Sequence, residues 1–255
     1  MSFKTKIAES AKSKDSRLVL ALDFPFEPQQ NRSTVLEKAQ KVLQAVHPYV
    51  CAVKINHHLT LPLGLFEGIA PLVEQIRGQG MLAIMDAKVN DIGNTNQVIA
   101  EYYFSAGFDA IIANPFVGWD EGMKPLFETA RQANRGVILL TYMSHKGACE
   151  GYGQNVIDPD TGEQVPQYVA FARKALKWNA DGVVVGATVP DKIAKVKSIL
   201  QGKADIYSPG VGAQGGTAEA AISSGSNYLI VGREITNSTD PAKSAKALAD
   251  SIRGI

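Results

Sequence analysis

Residues 81–113 read MLAIMDAKVNDIGNTNQVIAEYYFSAGFDAIIA. Met81 to Ala87 is short and almost wholly apolar, the pattern of a strand covered on both faces. Asn94 to Ala106 is longer and mixes apolar with polar residues, as an amphipathic helix does. Asp109 to Ala113 is apolar again. Strand, helix and strand over about 30 residues make a βαβ unit, and strands joined in that way run parallel.

The alternation continues in both directions. Upstream, Arg17 to Asp23 and Tyr49 to Ile55 are predicted strands, with helices at Asn31 to Val46 and Leu65 to Gln79. Downstream, strands are predicted at Gly136 to Thr141, Gly182 to Val185, Asp205 to Ser208 and Tyr228 to Val231. The helices between and after them are Gly122 to Asn134, Val165 to Trp178, Pro190 to Leu200, Gly216 to Ser223 and Pro241 to Ile252. Pro190 and Pro241 suit a first helical turn, where a missing N–H costs nothing. Met1 to Asp15 predicts one more helix ahead of the first strand. Eight strands in strict alternation with eight helices predict a single (β/α)8 barrel over residues 1–255; an open doubly wound sheet is the competitor. One connection, Ser144 to Gln164, is long and carries Gly147, Gly151, Gly153 and Gly162. Its length fits either a substrate cover or a plain surface insertion.

Composition narrows the function. The 26 basic and 25 acidic residues leave a net charge of +1, so no broad nucleic-acid or membrane surface is expected. One local pocket for a phosphate-bearing small molecule remains compatible. The two cysteines, Cys51 and Cys149, do not make a disulfide framework. The opening residues have no apolar signal core, and no run of about 18 apolar residues suggests a membrane span. A cytoplasmic location is expected.

A parallel barrel builds its site at the carboxyl ends of its strands. The first strand ends in Asp23, the second delivers Lys54, and the third delivers Asp86 and Lys88 with Asp91 three residues on. The fifth leads to Ser144. Charges inside apolar strands are costly unless paired. Asp86 and Lys88, two apart, share one face of an extended chain. With Lys54 and Asp91 they would form an alternating set of two carboxylates and two ammonium groups. A buried ion pair that only fixes strand register is the plainer reading of Asp86 and Lys88, and Lys54 alone could be a lysine reaching along a strand end.

Two loops point to phosphate, against the plainer reading of an ordinary flexible turn plus a surface arginine. The seventh strand leads into Pro209-Gly210-Val211-Gly212-Ala213-Gln214-Gly215-Gly216 and the eighth into Gly232-Arg233. Glycines let backbone N–H groups approach an anion, and arginine grips phosphate with two parallel hydrogen bonds. These are the habitual phosphate loops of such barrels. The histidines, His47, His57, His58 and His145, lack zinc-ligand spacing. His57-His58 is expected on a loop after the second strand; His145, near the mouth, could touch a ligand, with a solvated loop histidine the plainer reading. No nucleophile elbow, Walker loop or complete dinucleotide fingerprint is present.

The segment from Asp86 to Thr95 resembles the Asp-x-Lys-x-x-Asp-Ile-x-Asn-Thr signature of the orotidine 5'-phosphate decarboxylases. Leu20-Ala21-Leu22-Asp23, Val53-Lys54, Thr141-Tyr142-Met143-Ser144, the glycine loop from Ser208 to Gly216 and Val231-Gly232-Arg233-Glu234-Ile235 follow in family order. The resemblance implies a barrel, usually a homodimer, that needs no metal or organic cofactor and acts on orotidine 5'-monophosphate. It implies Lys54, Asp86, Lys88 and Asp91 as the charged catalytic network. It places Asp23 on a ribose hydroxyl, Ser144 on the pyrimidine, and Gln214 and Arg233 on the phosphate, with Pro209 and Gly232 lining that end. Asp91, Ile92 and Thr95 would reach into the partner subunit's site. Lys146 stands where many members have proline, and Asn90 where many have alanine or glycine.

Two alternatives share these features. Hexulose-phosphate synthases and keto-gulonate-phosphate decarboxylases share Asp-x-Lys-x-x-Asp but use magnesium and carry glutamate where this chain has Lys54, whose charge would repel the cation. A barrel that binds nucleotides without turning them over would have no use for the charged set.

Overall fold

The computed structural model describes residues 1–27, 29–212 and 214–255. In chain order its elements are α1 (Phe3–Lys14), β1 (Leu18–Leu22), α2 (Arg32–Val46), β2 (Ala52–Asn56), α3 (His57–Leu63), α4 (Ala70–Gly78), β3 (Leu82–Val89), α5 (Gly93–Ser105), β4 (Ala110–Ala113), α6 (Lys124–Gln132) and β5 (Gly136–Tyr142). There follow α7 (Ala148–Gly151), β6 (Asn155–Ile157), β7 (Gln164–Pro166), α8 (Gln167–Lys177), β8 (Gly182–Val185), α9 (Pro190–Leu200), β9 (Asp205–Pro209), α10 (Ala218–Ser223), β10 (Tyr228–Val231), α11 (Arg233–Thr236) and α12 (Pro241–Ser251). Eight strands form a closed parallel barrel in the order β1-β10-β9-β8-β5-β4-β3-β2. Closure through β1 and β10, with Leu18 opposite Leu229 and Leu20 opposite Val231, removes the open sheet as a competitor. A barrel has no free edge strand to guard against pairing with other chains.

Sequence explains the layers. Strands β1, β4, β5, β8 and β10 are buried at every position, as Leu, Ile, Val and Ala runs between a filled barrel and its helices should be. Helix starts follow capping chemistry. Asn31 accepts from Ser33 N–H, Thr217 from Ala220 N–H, and Asp240 from Lys243 N–H. At the amino-terminal end, α1 lies under the barrel with Phe3 and Ile7 buried. Its Ser10 hydroxyl donates to the carbonyls of Cys51 and Gly80. Cys51 is wholly buried, and burial pushes its thiol up to about 12, whereas Cys149 on α7 is exposed.

Several features depart from strict alternation. The helical layer after β2 begins at His57, eight residues before the predicted start. Asn56 caps it by accepting from His58 N–H, so His57-His58 is a first helical turn, not a loop. Pro62 and a wide π-type turn at Gly64–Ile69 divide that layer into α3 and α4. By length and composition alone His57–Gly78 could cross a membrane, with a mean hydropathy of 1.2, but 44% of that window is buried inside the fold. Residues 144–164 are also not an open loop. They hold α7 and the antiparallel hairpin of β6 and β7, which takes Val165 out of the predicted helix. Arg173 of α8 pairs with Asp158 and Glu163, and Lys177 with Asp160, so the hairpin is fastened to the helix behind it. Finally, Trp119–Met123 adds an irregular wide turn ahead of α6.

Candidate active site

The carboxyl ends of the strands surround a cavity of about 670 Å³. Its floor is apolar, with Ile112, Leu140, Val184 and Ile230 each supplied by a different strand. Of the twelve residues singled out from sequence, nine line it: Asp23, Lys54, Asp86, Lys88, Ser144, Pro209, Gln214, Gly232 and Arg233. Asp91, Ile92 and Thr95 do not. Neither Asn90 nor Lys146 is among the lining residues.

The charged centre is a line of three groups. Lys54 Nζ lies 2.7 Å from Asp86 Oδ2, and Lys88 Nζ lies 2.7 Å from Asp86 Oδ1. Asp86 therefore gives one carboxylate oxygen to each ammonium. Burial alone would raise the Asp86 carboxyl, but the charges and hydrogen bonds of Lys54 and Lys88 prevail and hold it down at about 2. Lys54 and Asp86 are buried, whereas the Lys88 side chain is 39% exposed and turns into the cavity.

The set of four charges is thus three within one chain, and only two of them are buried. Asp91 is exposed and joins no ion pair among the described residues; its Oδ1 accepts from Ile92 N–H instead. The shared face of Asp86 and Lys88 also has a less simple origin than strand alternation. Lys88 has φ +49°, in the left-handed region, and the β3–β4 register shifts between Met85 and Val89. A bulge re-aims a side chain at a barrel rim. Here it accompanies the turn of Lys88 onto Asp86.

Opposite the charged centre lie the two glycine loops. Gly210 has φ +98°, and a Cβ there would meet Gln214 Oε1 at 2.7 Å and the Ser144 Cβ at 2.9 Å. The missing side chain lets the β9 loop, the Ser144 turn and Gln214 converge. Ala213 of this loop lies outside the described residues. Gly232 does the same between β10 and β1, with Asp23 Oδ1 3.2 Å from the place a Cβ would take. Arg233 follows at the start of α11, exposed at the rim. The cavity thus carries a cationic rim on this side and an ion-paired carboxylate on the other.

Sequence reading missed several lining groups. Asn56 stands beside Asp86 in the β2–β3 register, and His58 Nδ1 lies 3.0 Å from the Asp23 carbonyl oxygen. Lys38 reaches in from α2, its Nζ 4.4 Å from the centroid of the Phe24 ring. His145, which the sequence already placed near the mouth, lines the cavity too. Asn56 was legible, as a polar residue ending an apolar strand; Lys38 and His58 sit on helices, where strand-end reasoning does not look.

A family model, orotidine 5'-phosphate decarboxylase / HUMPS family, matches residues 16–248. The chain belongs to that family. An orotidine 5'-phosphate decarboxylase of Methanococcoides burtonii is 34% identical over 239 residues, covering 94% of this chain and 98% of the relative. The structure of Leishmania donovani OMP decarboxylase superposes with a TM-score of 0.82 at 28% identity, over 99% of this chain and 97% of the other. An orotidine 5'-monophosphate decarboxylase of Methanocaldococcus jannaschii, solved with the inhibitor BMP, superposes at 0.74 with 31% identity, over 92% and 97%. Lys54, the position at which the two readings of the sequence diverge, pairs with Asp86.

Proposed function

We propose that the protein is a carboxy-lyase that converts orotidine 5'-monophosphate to uridine 5'-monophosphate in pyrimidine biosynthesis. The observation that carries this reading is the Lys54–Asp86–Lys88 line in one cavity with Arg233 and Gln214. The reaction breaks the bond between ring carbon 6 and its carboxylate, releasing carbon dioxide and leaving the electron pair on that carbon. Lys88, oriented by Asp86, supplies positive charge beside the developing carbanion and then the proton that replaces the carboxylate. Asp86 faces the departing carboxylate and disfavours it, a smaller contribution than the electrostatic one. Asp23 holds a ribose hydroxyl, Ser144 the pyrimidine, and Gln214 and Arg233 the phosphate, with Pro209 and Gly232 lining that end. Binding energy at the phosphate, remote from carbon 6, fixes the ring over the charged line.

The working unit in this reading is a homodimer in the cytoplasm. Asp91 and Ile92 are exposed, Thr95 is half-buried, and Ile92 keeps 69% of its surface open. Phe66 and Tyr102, both more than half exposed, stack edge-to-face at 6.2 Å in the helical layer. Such an apolar surface suits a second copy, and Asp91, Ile92 and Thr95 would then complete the partner's site.

The test follows the loss of orotidine monophosphate absorbance with a chelator present. Turnover by the wild-type protein under those conditions is expected, together with undetectable product from Lys88→Ala despite retained secondary structure. Strict magnesium dependence would favour the synthase branch of the family. A Lys88→Ala protein that still decarboxylates would place the proton donor elsewhere.

A further inference from the structure

Asn96 is a fully buried polar side chain in the first turns of α5. Its Oδ1 accepts from Asp91 N–H at 3.0 Å, and its Nδ2 donates to the Asp91 carbonyl at 2.5 Å and to the Gly122 carbonyl at 3.0 Å. Its backbone N–H donates to Ile92 O at 2.9 Å. One amide thus closes both backbone groups of Asp91 and ties them to the wide turn ahead of α6. The orientation of the amide is forced, because Asp91 N–H needs an acceptor and Asp91 C=O a donor. Asp91 lies between elements, since β3 ends at Val89 and α5 begins at Gly93, so neither a strand ladder nor a helix holds its backbone.

We infer that Asn96 is a positioning residue whose task is to present Asp91 to the neighbouring subunit. This rests on the dimeric reading above. Three facts point outward rather than toward the cavity of Asn96's own chain. Asp91 and Ile92 are exposed, the Asp91 carboxylate has no cation within its own chain among the described residues, and Asn96 itself is not among the cavity-lining residues. A buried amide with every polar atom used fixes backbone direction more tightly than packing alone can. Loss of it would leave Lys88 and Asp86 of the same chain in place and misdirect the carboxylate offered to the other copy.

That asymmetry is testable by mixing subunits. A control comes first: Lys88→Ala and Asp91→Ala chains, each inactive alone, are unfolded and refolded together. If Asp91 acts across the interface, the heterodimer has one intact site, and random pairing restores ~25% of wild-type activity. No recovery in this control overturns the dimeric reading itself. Asn96→Ala is then mixed with each. With Lys88→Ala, the Asn96→Ala chain supplies Lys88 and receives a correctly held Asp91, so activity should return to the control level. With Asp91→Ala, no intact site arises and no recovery is expected. Recovery with both partners, no recovery with either, or near-wild-type turnover by Asn96→Ala alone would overturn the inference. Should Asn96→Ala fail to fold, Asn96→Asp keeps the volume and the acceptor while removing both donors, and the same pair of mixtures decides.

Discussion

At the scale of single residues, Asp86 links the proposed chemistry to stability. Its carboxyl is held at about 2 against an unfolded value near 4, so its ionisation favours the folded state. The shift corresponds to about 2 kcal/mol, present in full above roughly pH 5 and lost as pH falls through 4 toward 2. Chemical denaturation of wild type and Asp86→Asn between pH 7 and pH 3 should show a gap that narrows on acidification. A gap independent of pH would mean that Asp86 is not held low by its lysines. At the other end of the cavity, Arg233→Ala should lower kcat/KM by about 3 kcal/mol, the worth of a bidentate charge-assisted contact, and added free phosphite or phosphate should return much of it. Steady-state kinetics with and without the anion checks this; wild-type-like turnover without any anion would remove Arg233 from the phosphate. Most of these residues were legible because charges at the ends of apolar runs have few structural excuses. Two things were not. The left-handed backbone at Lys88 belongs to a non-glycine residue, which sequence seldom betrays. Asp91 stands apart from the other three charges because its contacts are completed outside its own chain in the proposed dimer.

At the scale of elements, strand identity and order were readable, and boundaries moved by at most three residues except where local chemistry intervened. Asn56 started a helix eight residues early, and the acidic tip of the β6–β7 hairpin found Arg173 and Lys177 on α8. The pairs on α8 join side chains that meet only after folding, which periodicity cannot report, whereas the Asn56 cap is a local signal that an apolar-period reading passes over. Tight packing between neighbouring strands gives a sharper prediction. Tyr207 is wholly buried in β9 and stacks on Tyr228 at 4.9 Å. A Cβ on Gly182 of β8 would lie 2.4 Å from the Tyr207 ring and 2.8 Å from the Asp205 carbonyl oxygen. The backbone atom cannot step aside, so Gly182→Ala should destabilise by about 3 kcal/mol, at the upper end of overpacking costs. A fall in the urea midpoint with an unchanged slope would show it, and an unchanged midpoint would mean that the β8–β9 pair yields more easily than its geometry suggests.

At the scale of the whole molecule, the barrel puts stability and chemistry at opposite ends. Its amino-terminal end is closed by α1, while the carboxyl end stays open and collects polar loops from separate strands. The proposed dimer adds a requirement no single chain meets, and it predicts that dilution below the dimer dissociation constant abolishes turnover while leaving the barrel folded. Activity and sedimentation measured over the same concentration range would check this; turnover by a monomer would show that Asp91 of a second copy is dispensable. The two cysteines divide along the same axis, one sealed between α1 and the strands, the other open on the short helix beyond the Ser144 turn. A maleimide dye would therefore attach at one place only, beside the mouth, with no engineered thiol. The native chain is in that sense ready for single-molecule fluorescence, with its reporter a few residues from the turn proposed to meet the pyrimidine.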